Sequence, residues 1–306
     1  MKSVKHARKA IVILAIAIAL CGLCSCRGKN IMGNTYADAS RYSVGSFSYR
    51  ASGVDTVKIN YVAGDVTVVQ SSSNSLNVTE TGKKLSDDQS VHWLLDGDTL
   101  RIQYCRSGYI GNVPAKSLVV EIPAGVQLEV STTSGDIVLD GLLTPSGTVL
   151  GATSGNMTVG NLRTGLFEAG STSGNKNIVS LYADQADFGS TSGTTKIGEI
   201  LAESINFGGT SGSFQADNIT CGELDAGCTS ANITLGFDTC DTVKIGCTSG
   251  NVTISRLPEG GATVDFSHTS GDLKADGYTV KGGKMVFGNG HCDMEIGTTS
   301  GDLTIR

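Results

Sequence analysis

Apolar and polar positions alternate along this chain, and the alternation restarts at a fixed interval. Thr-Ser-Gly recurs at Thr133, Thr153, Thr172, Thr191, Thr210, Thr248, Thr269 and Thr299, with Thr-Ser-Ala at Thr229. Five successive intervals are 19 residues long. Three residues before the threonine stands an apolar residue, as at Val130, Leu150, Phe188, Phe207, Ile245 and Ile296. Two positions earlier apolar residues recur, as at Leu128, Phe167, Ile205, Leu224 and Val243. The residue between them is often acidic: Glu129, Glu168, Asp187, Asp225, Asp265 and Glu295. This period of 2 marks a strand with one buried face. After the turn glycine comes Asp or Asn, and alternation resumes, as in Ile233/Leu235 and Val252/Ile254. A third apolar mark follows at Leu142, Leu162, Leu181, Ile200 and Ile219. Each repeat therefore predicts two short strands joined at Thr-Ser-Gly-Asn/Asp, plus a third buried contact.

A unit of this length cannot bury its apolar face alone, but stacked copies bury it against one another. The prediction is an all-β protein, a parallel β-solenoid with about 19 residues per coil and like residues in ladders about 4.8 Å apart. Right-handed winding is expected, because parallel crossovers have that hand in about 98 % of cases. In the turn, Gly is expected to supply a positive φ, with Asn or Asp bonding locally or tolerating the left-handed region. Stacked Asn and Thr side chains can also bond along the rod. On this reading Ala231 costs about 1 kcal/mol, and Ala231→Gly would stabilise the protein.

Before Thr133 the repeat is degenerate. Residues 57–62 alternate, 63–65 turn, and 66–69 continue, as one coil with a divergent turn. Residues 76–79, 100–104 and 118–122 read as further strands, with a polar stretch at 82–90. The longer interval between Thr269 and Thr299 contains Gly282-Gly283 and Gly288-Asn289-Gly290. It predicts a hairpin or half-coil over the open end of the stack, since bare sheet edges invite aggregation. The organisation expected is 1–25 lipoprotein signal peptide, 26–50 tether and lead-in, 51–126 irregular N-terminal β coils, and 127–306 regular solenoid with a cap insert near 280–292.

Composition narrows the class. Of 306 residues 41 are Gly and only 4 are Pro. So many glycines disfavour a helix bundle, and so few prolines disfavour collagen. An apolar share of 39 % argues against disorder. Much of the glycine falls at one or two fixed phases of the repeat.

The front end adds an address. Lys2, Lys5, Arg8 and Lys9 precede an apolar run over 10–23, and no acidic residue occurs before Asp38. That is an export signal, too short for a membrane span of about 20 apolar residues. Leu23-Cys24-Ser25-Cys26 follows. A lipoprotein site needs a branched apolar residue at −3, a small one at −1 and Cys at +1, and only Cys26 meets this. An uncleaved single-pass anchor and an ordinary signal peptide are the alternatives. Cleavage before Cys26 leaves a body of net charge −10, because those four basic residues leave and no acidic residue does. An acidic body argues against nucleic acid and against an electrostatic grip on anionic lipid.

Several stretches together resemble the bacterial putative-adhesin family of exported β-strand-repeat surface proteins, whose domain has no assigned function. They are residues 36–42 with Gly45, Val57-Lys-Ile-Asn with Ala63-Gly-Asp-Val, Leu118-Val-Val-Glu-Ile-Pro, and Leu128-Glu-Val-Ser-Thr-Thr-Ser-Gly-Asp-Ile. The resemblance covers roughly residues 36–306. It implies a β-solenoid at the cell envelope, with some relatives acting in envelope-stress or antimicrobial-peptide responses. It supplies no catalytic residues.

Two sets of side chains are candidates for chemistry. Cys221 and Cys240 are one repeat apart, as are Cys228 and Cys247. They are either stacked free thiols or inter-coil disulfides, which export permits. No Cys-x-x-Cys spacing points to metal, and His268, His291 and Cys292 need not face one another. The carboxylates Glu129, Glu168, Asp187, Asp225, Asp265 and Glu295 share one phase and form an outward acidic ladder, interrupted by Asn206 and Lys244. A constant coil length leaves no room for the long loops of carbohydrate-cleaving β-helices. Trp93 is expected to pack in the N-terminal cap. No cofactor is implied.

The function expected is a non-catalytic, lipid-anchored surface protein presenting its solenoid to an envelope protein, a wall polymer or a host molecule. An envelope-stress or antimicrobial-peptide sensor is the first alternative, and a carbohydrate-active β-helix enzyme the second. Cells grown with labelled palmitate should label the protein, and Cys26→Ala should abolish the label. Label that survives the substitution contradicts the assignment.

Overall fold

A computed structural model of the chain describes residues 35–306. Cys26 and the segment expected to be a signal peptide lie outside the described residues. The chain is nearly all β, one long run of mostly parallel strands. In the regular region a coil has three ladders rather than two strands and a contact. Lys176–Ser190, Thr195–Gly209, Phe214–Cys228 and Ile233–Cys247 are each one long strand that bends at corners. Pairing stops at the corner residues Val179/Gly198 and Asp184/Glu203. The first face carries the residues before the Thr-Ser-Gly turn (185–190), the second those after it (195–197), and the third the return segment (199–202). The third apolar mark of the repeat is the inward side of that third face: Leu162, Leu181, Ile200 and Ile219 are at most 1 % exposed.

Phenylalanines from adjacent coils fill the interior. Phe207 and Phe214 stack with ring centroids 4.6 Å apart, and Phe188 lies 5.8 Å from Phe214. Inward hydroxyls finish the turn: Thr132, Ser171, Ser190 and Thr298 each donate to the carbonyl of the turn glycine three residues on, at 2.7–2.9 Å.

The turn glycines are needed for a different reason from the one expected. Gly135, Gly155, Gly174, Gly193, Gly212, Gly250 and Gly301 do not have positive φ, and neither does Ala231. Of the Thr-Ser-Gly glycines only Gly271 does, at 141°. What crowds a side chain at the glycines is the adjacent coil, although Ala231 carries a buried Cβ at the same phase. A Cβ at Gly155, Gly174, Gly193 or Gly212 would fall inside 3.0 Å of the carbonyl oxygen of the preceding turn glycine. The backbones nest, and the left-handed premise for Ala231→Gly falls away.

The Asn/Asp that follows the glycine bonds along the rod. Asp136 Oδ1 accepts from the backbone N–H of Asn156 at 2.8 Å, Asn156 from Asn175 at 3.1 Å, and Asn175 from Thr194 at 2.9 Å. Each side chain satisfies a donor in the next coil that the ladder leaves free.

At both ends the coils stack out of chain order. Near the N-terminus Thr56–Tyr61 pairs with Gln127–Thr132 on one side and Thr99–Gln103 on the other. The first coil is therefore inside, and a later one lies outside it. Near the C-terminus Cys292–Ser300 pairs with the strand Ile233–Cys247 and with Gly261–Ser270. Likewise Leu303–Ile305 lies between Val252–Arg256 and Leu273–Ala275. The last coil is intercalated, and the Asn/Asp ladder runs from Asn251 to Asp302 to Asp272 accordingly.

Antiparallel strands close both edges. Lys284–Gly288 pairs antiparallel with Gly261–Ser270 and with Thr279–Lys281. Ser75–Gly82 and His92–Asp96 do the same at the other end, where Ser43–Val44 and Phe47–Arg50 add the outermost strands. Trp93 stacks on Phe47 there, centroids 4.0 Å apart. This cap is pinned by a buried ion pair, Lys116 Nζ to Glu80 Oε1 at 2.8 Å, under the Tyr104 ring at 4.0 Å. Lys116 also donates to the carbonyls of Gln89 and Tyr104. Burial lowers its pKa, and the hydrogen bond to Glu80 works against that shift.

Gly174→Ala puts a methyl group against the Gly155 carbonyl, and overpacking of this kind costs about 1–3 kcal/mol. Urea unfolding of that variant should show the loss. An unchanged midpoint contradicts the nesting.

Candidate functional site: a glycine-floored groove on the first face

On the first face the outward positions form three parallel rows. The middle row is glycine: Gly151, Gly170, Gly189, Gly208, Gly227 and Gly246 pair in register and continue to Gly297. On one side of this floor runs the row of acidic phase. On the other runs the first threonine of each turn. Toward the C-terminal end the rows enclose a groove of about 940 Å³, reaching from Gly208 to Thr269. That volume lies in the range of small-ligand sites.

The glycines at the end of this floor are not forced by the fold. Gly246 does not have positive φ, and a Cβ built on it meets nothing within 4 Å. At Gly297 a Cβ would meet only Ser267 Oγ at 3.3 Å and the Ile245 carbonyl at 3.9 Å. Glycine weakens a strand interior, and it often marks where a ligand or another backbone comes close.

The charged wall is less uniform than the ladder read from sequence. The register runs Glu129, Val149, Glu168, Asp187, Asn206, Asp225, Lys244, Glu295, Asp265. Val149 also breaks the row, and Glu295 precedes Asp265 because the last coil is intercalated. Nor do all the carboxylates point freely outward. Asp187 is 8 % exposed and Asn206 7 %. Asp187 accepts from Gln185 Nε2 and Asn206 Nδ2, both at 2.6 Å. Glu129 is paired with Lys58 at 2.8 Å. Only Asp225, Glu295 and Asp265 of the predicted set line the groove, together with Lys244, which bonds Glu223 at 2.7 Å. His268 lies flat on Phe266, centroids 4.8 Å apart.

The four predicted cysteines also stack in register. Cys228 and Cys247 form a disulfide with Cα atoms 4.7 Å apart, at the edge of the groove. Cys221 and Cys240 are buried thiols with sulfurs 3.3 Å apart. Among the described residues no group of three or more His, Cys, Asp or Glu is arranged to hold a metal ion.

The sequence matches the Toastrack DUF4097 description over residues 54–306. The chain belongs to the Toastrack DUF4097 family. A putative adhesin from Parabacteroides distasonis superposes with a TM-score of 0.50 at 15 % identity, over 86 % of this chain and 97 % of that one. A putative adhesin from Parabacteroides merdae gives 0.49 at 15 %, over 86 % and 96 %. One from Bacteroides fragilis gives 0.46 at 13 %, over 86 % and 97 %. At such identity the P. distasonis structure supports the Toastrack fold and nothing finer. No curated protein matches the sequence.

Sequence reading missed the floor as a site, although its signal was present: glycine recurs two residues before the turn threonine. It missed the burial of Asp187 and the place of Cys292, because both depend on neighbouring coils.

Burial raises the pKa of Glu168, and Asp187 and Glu129 add to the rise. A carboxyl whose native pKa exceeds its unfolded one destabilises the fold when ionised and ceases to do so as pH falls through the native value. Glu168→Gln should therefore be more stable than wild type at pH 7. The gap should shrink as pH falls toward the ordinary Glu range, about 4.3. A gap that stays constant in urea melts across that window contradicts this.

Proposed function

We propose that this Toastrack protein is an exported, lipid-anchored, non-catalytic surface protein that binds an extended ligand in the glycine-floored groove. Gly246 carries the reading. It is a glycine that neither backbone conformation nor packing demands, at the floor of a long open channel. The P. distasonis relative is described as a putative adhesin, which agrees with binding at the cell surface. Among the described residues no helix is long and apolar enough to cross a membrane, and the proposed attachment through Cys26 rests on the sequence of the N-terminal segment.

The threonine row repeats once per coil, at Thr210, Thr229, Thr248, Thr299 and Thr269, so the groove offers equivalent hydroxyls at even spacing along its length. That suits a polymer better than a compact molecule. The acidic residues Asp225, Glu295 and Asp265 favour a ligand with positive charge, and on that account the envelope-stress sensor remains the second reading.

Gly246→Phe tests the proposal. The side chain has room, so the fold and melting temperature should hold while the groove is filled. Labelled mature protein should bind whole cells or purified wall polymer, and the variant should lose at least about tenfold in affinity, ~1.4 kcal/mol. Equal binding by the variant contradicts the groove. Turnover of a polysaccharide panel by wild type contradicts the non-catalytic reading.

A further inference from the structure

Three buried thiols meet at the corner between the third and first faces, beneath the intercalated coil. Cys221 and Cys240 pair in register with sulfurs 3.3 Å apart. Cys292 opens the strand Cys292–Ser300, whose Asp293 pairs with Thr242, and its thiol is in hydrogen-bond contact with Cys240. Cys240 is the centre of the group, within hydrogen-bond contact of both neighbours, and its thiol also donates to the Thr242 carbonyl at 3.4 Å.

We propose that Cys240 and Cys292 are a disulfide-forming site that covalently seats the C-terminal coil, with Cys221 positioning Cys240 for the reaction. The slot for residues 292–305 is walled by 242–256 and 261–275, both earlier in the chain. The last coil completes its pairing only when both walls are in place, and until then Cys292 is open to an oxidant. A disulfide oxidant RSSR exchanges with the Cys292 thiolate, giving a Cys292–SR mixed disulfide and RS⁻. When the coil seats, the Cys240 thiolate attacks the Cys292 sulfur, the S–S bond to R breaks, and a second RS⁻ leaves. Two protein thiols are oxidised, RSSR is reduced to two RSH, and the thiol protons go to the leaving thiolates.

The partners follow from the geometry. Thiolate is the nucleophile in exchange. A hydrogen bond from Cys221 chiefly holds the Cys240 thiol well below the ordinary range, and it remains when Cys292 is a mixed disulfide, whereas Cys221 and Cys292 are raised by their contact with Cys240 and by burial. Cys240 is therefore the resolving thiolate. A Cys221–Cys240 bond would only rejoin two coils that Cys228–Cys247 already ties. A Cys240–Cys292 bond closes a loop of about 50 residues, and longer loops restrict the unfolded chain more.

The mature protein is refolded with oxidised glutathione, denatured, alkylated, digested without reductant and mapped by mass spectrometry. The expected map has Cys228 linked to Cys247 and Cys240 linked to Cys292, with Cys221 and Cys105 alkylated. Amide exchange in 292–305 should be at least about tenfold slower than in the same protein after reduction. Cys221→Ala should form the bond several-fold more slowly. A Cys221–Cys240 link, or alkylation of Cys240 and Cys292, overturns the site. An unchanged rate in Cys221→Ala overturns the role of Cys221. The wild-type map needs no variant to fold.

Discussion

The structure depends on how closely one turn backbone can approach the next. Each turn glycine lies under the carbonyl of its neighbour, where a Cβ would fall inside 3.0 Å. That contact fixes which residues share a row. The Asn/Asp side chains then bond the next coil's N–H groups, and the hydroxyls of Thr132, Ser171 and Ser190 close each turn from inside. The apolar rows fall over one another as a result. Hydrophobic burial supplies most of the drive, but it tolerates small slips along a row of similar residues. The nested backbones do not.

The same register builds the outer surface. A stack held by its turns can leave outward positions free, and on the first face it leaves a row of glycines between a charged wall and a hydroxyl wall. The groove is thus a by-product of repetition refined at particular coils. Its charges vary from coil to coil while its floor stays bare as far as Gly297, with Ser267 at that position in the outermost coil. The ends obey a different need. A parallel stack has two open edges, and both are closed by a segment that doubles back and by antiparallel strands that change the hydrogen-bond direction. At the C-terminal end the doubling back also brings Glu295 into the groove, between Lys244 and Asp265.

The repeat, the parallel stack, the inward rows and the phase of the acidic residues were all legible in the sequence, because each follows from period 2 within a repeat of fixed length. The order of the coils was not. Coils carrying Thr-Ser-Gly offer nearly equivalent partners, so nothing local says that Thr299 lies beside Thr248 rather than beyond Thr269. The role of the turn glycine was misread, since a positive φ and a close approach call for the same residue. Lys116 and Glu80 meet across a cap whose pairing has no periodic signal. Of the groove, the charged wall was half legible: its phase was clear, but the burial of Asp187 and the interruption at Val149 needed the register.

Register set at the turns places the last coil between two earlier ones and so completes the groove. Paired cysteines on the second face test it directly. Thr253 pairs with Thr304, and Thr304 with Lys274, so Thr253 and Lys274 are two coils apart. The double variant Thr253→Cys/Thr304→Cys should cross-link on mild oxidation, and Thr253→Cys/Lys274→Cys should not, since two coils separate those positions by about twice the ~4.8 Å strand spacing. Cross-linking of the second pair in place of the first would mean that the coils stack in chain order, and it would contradict the account.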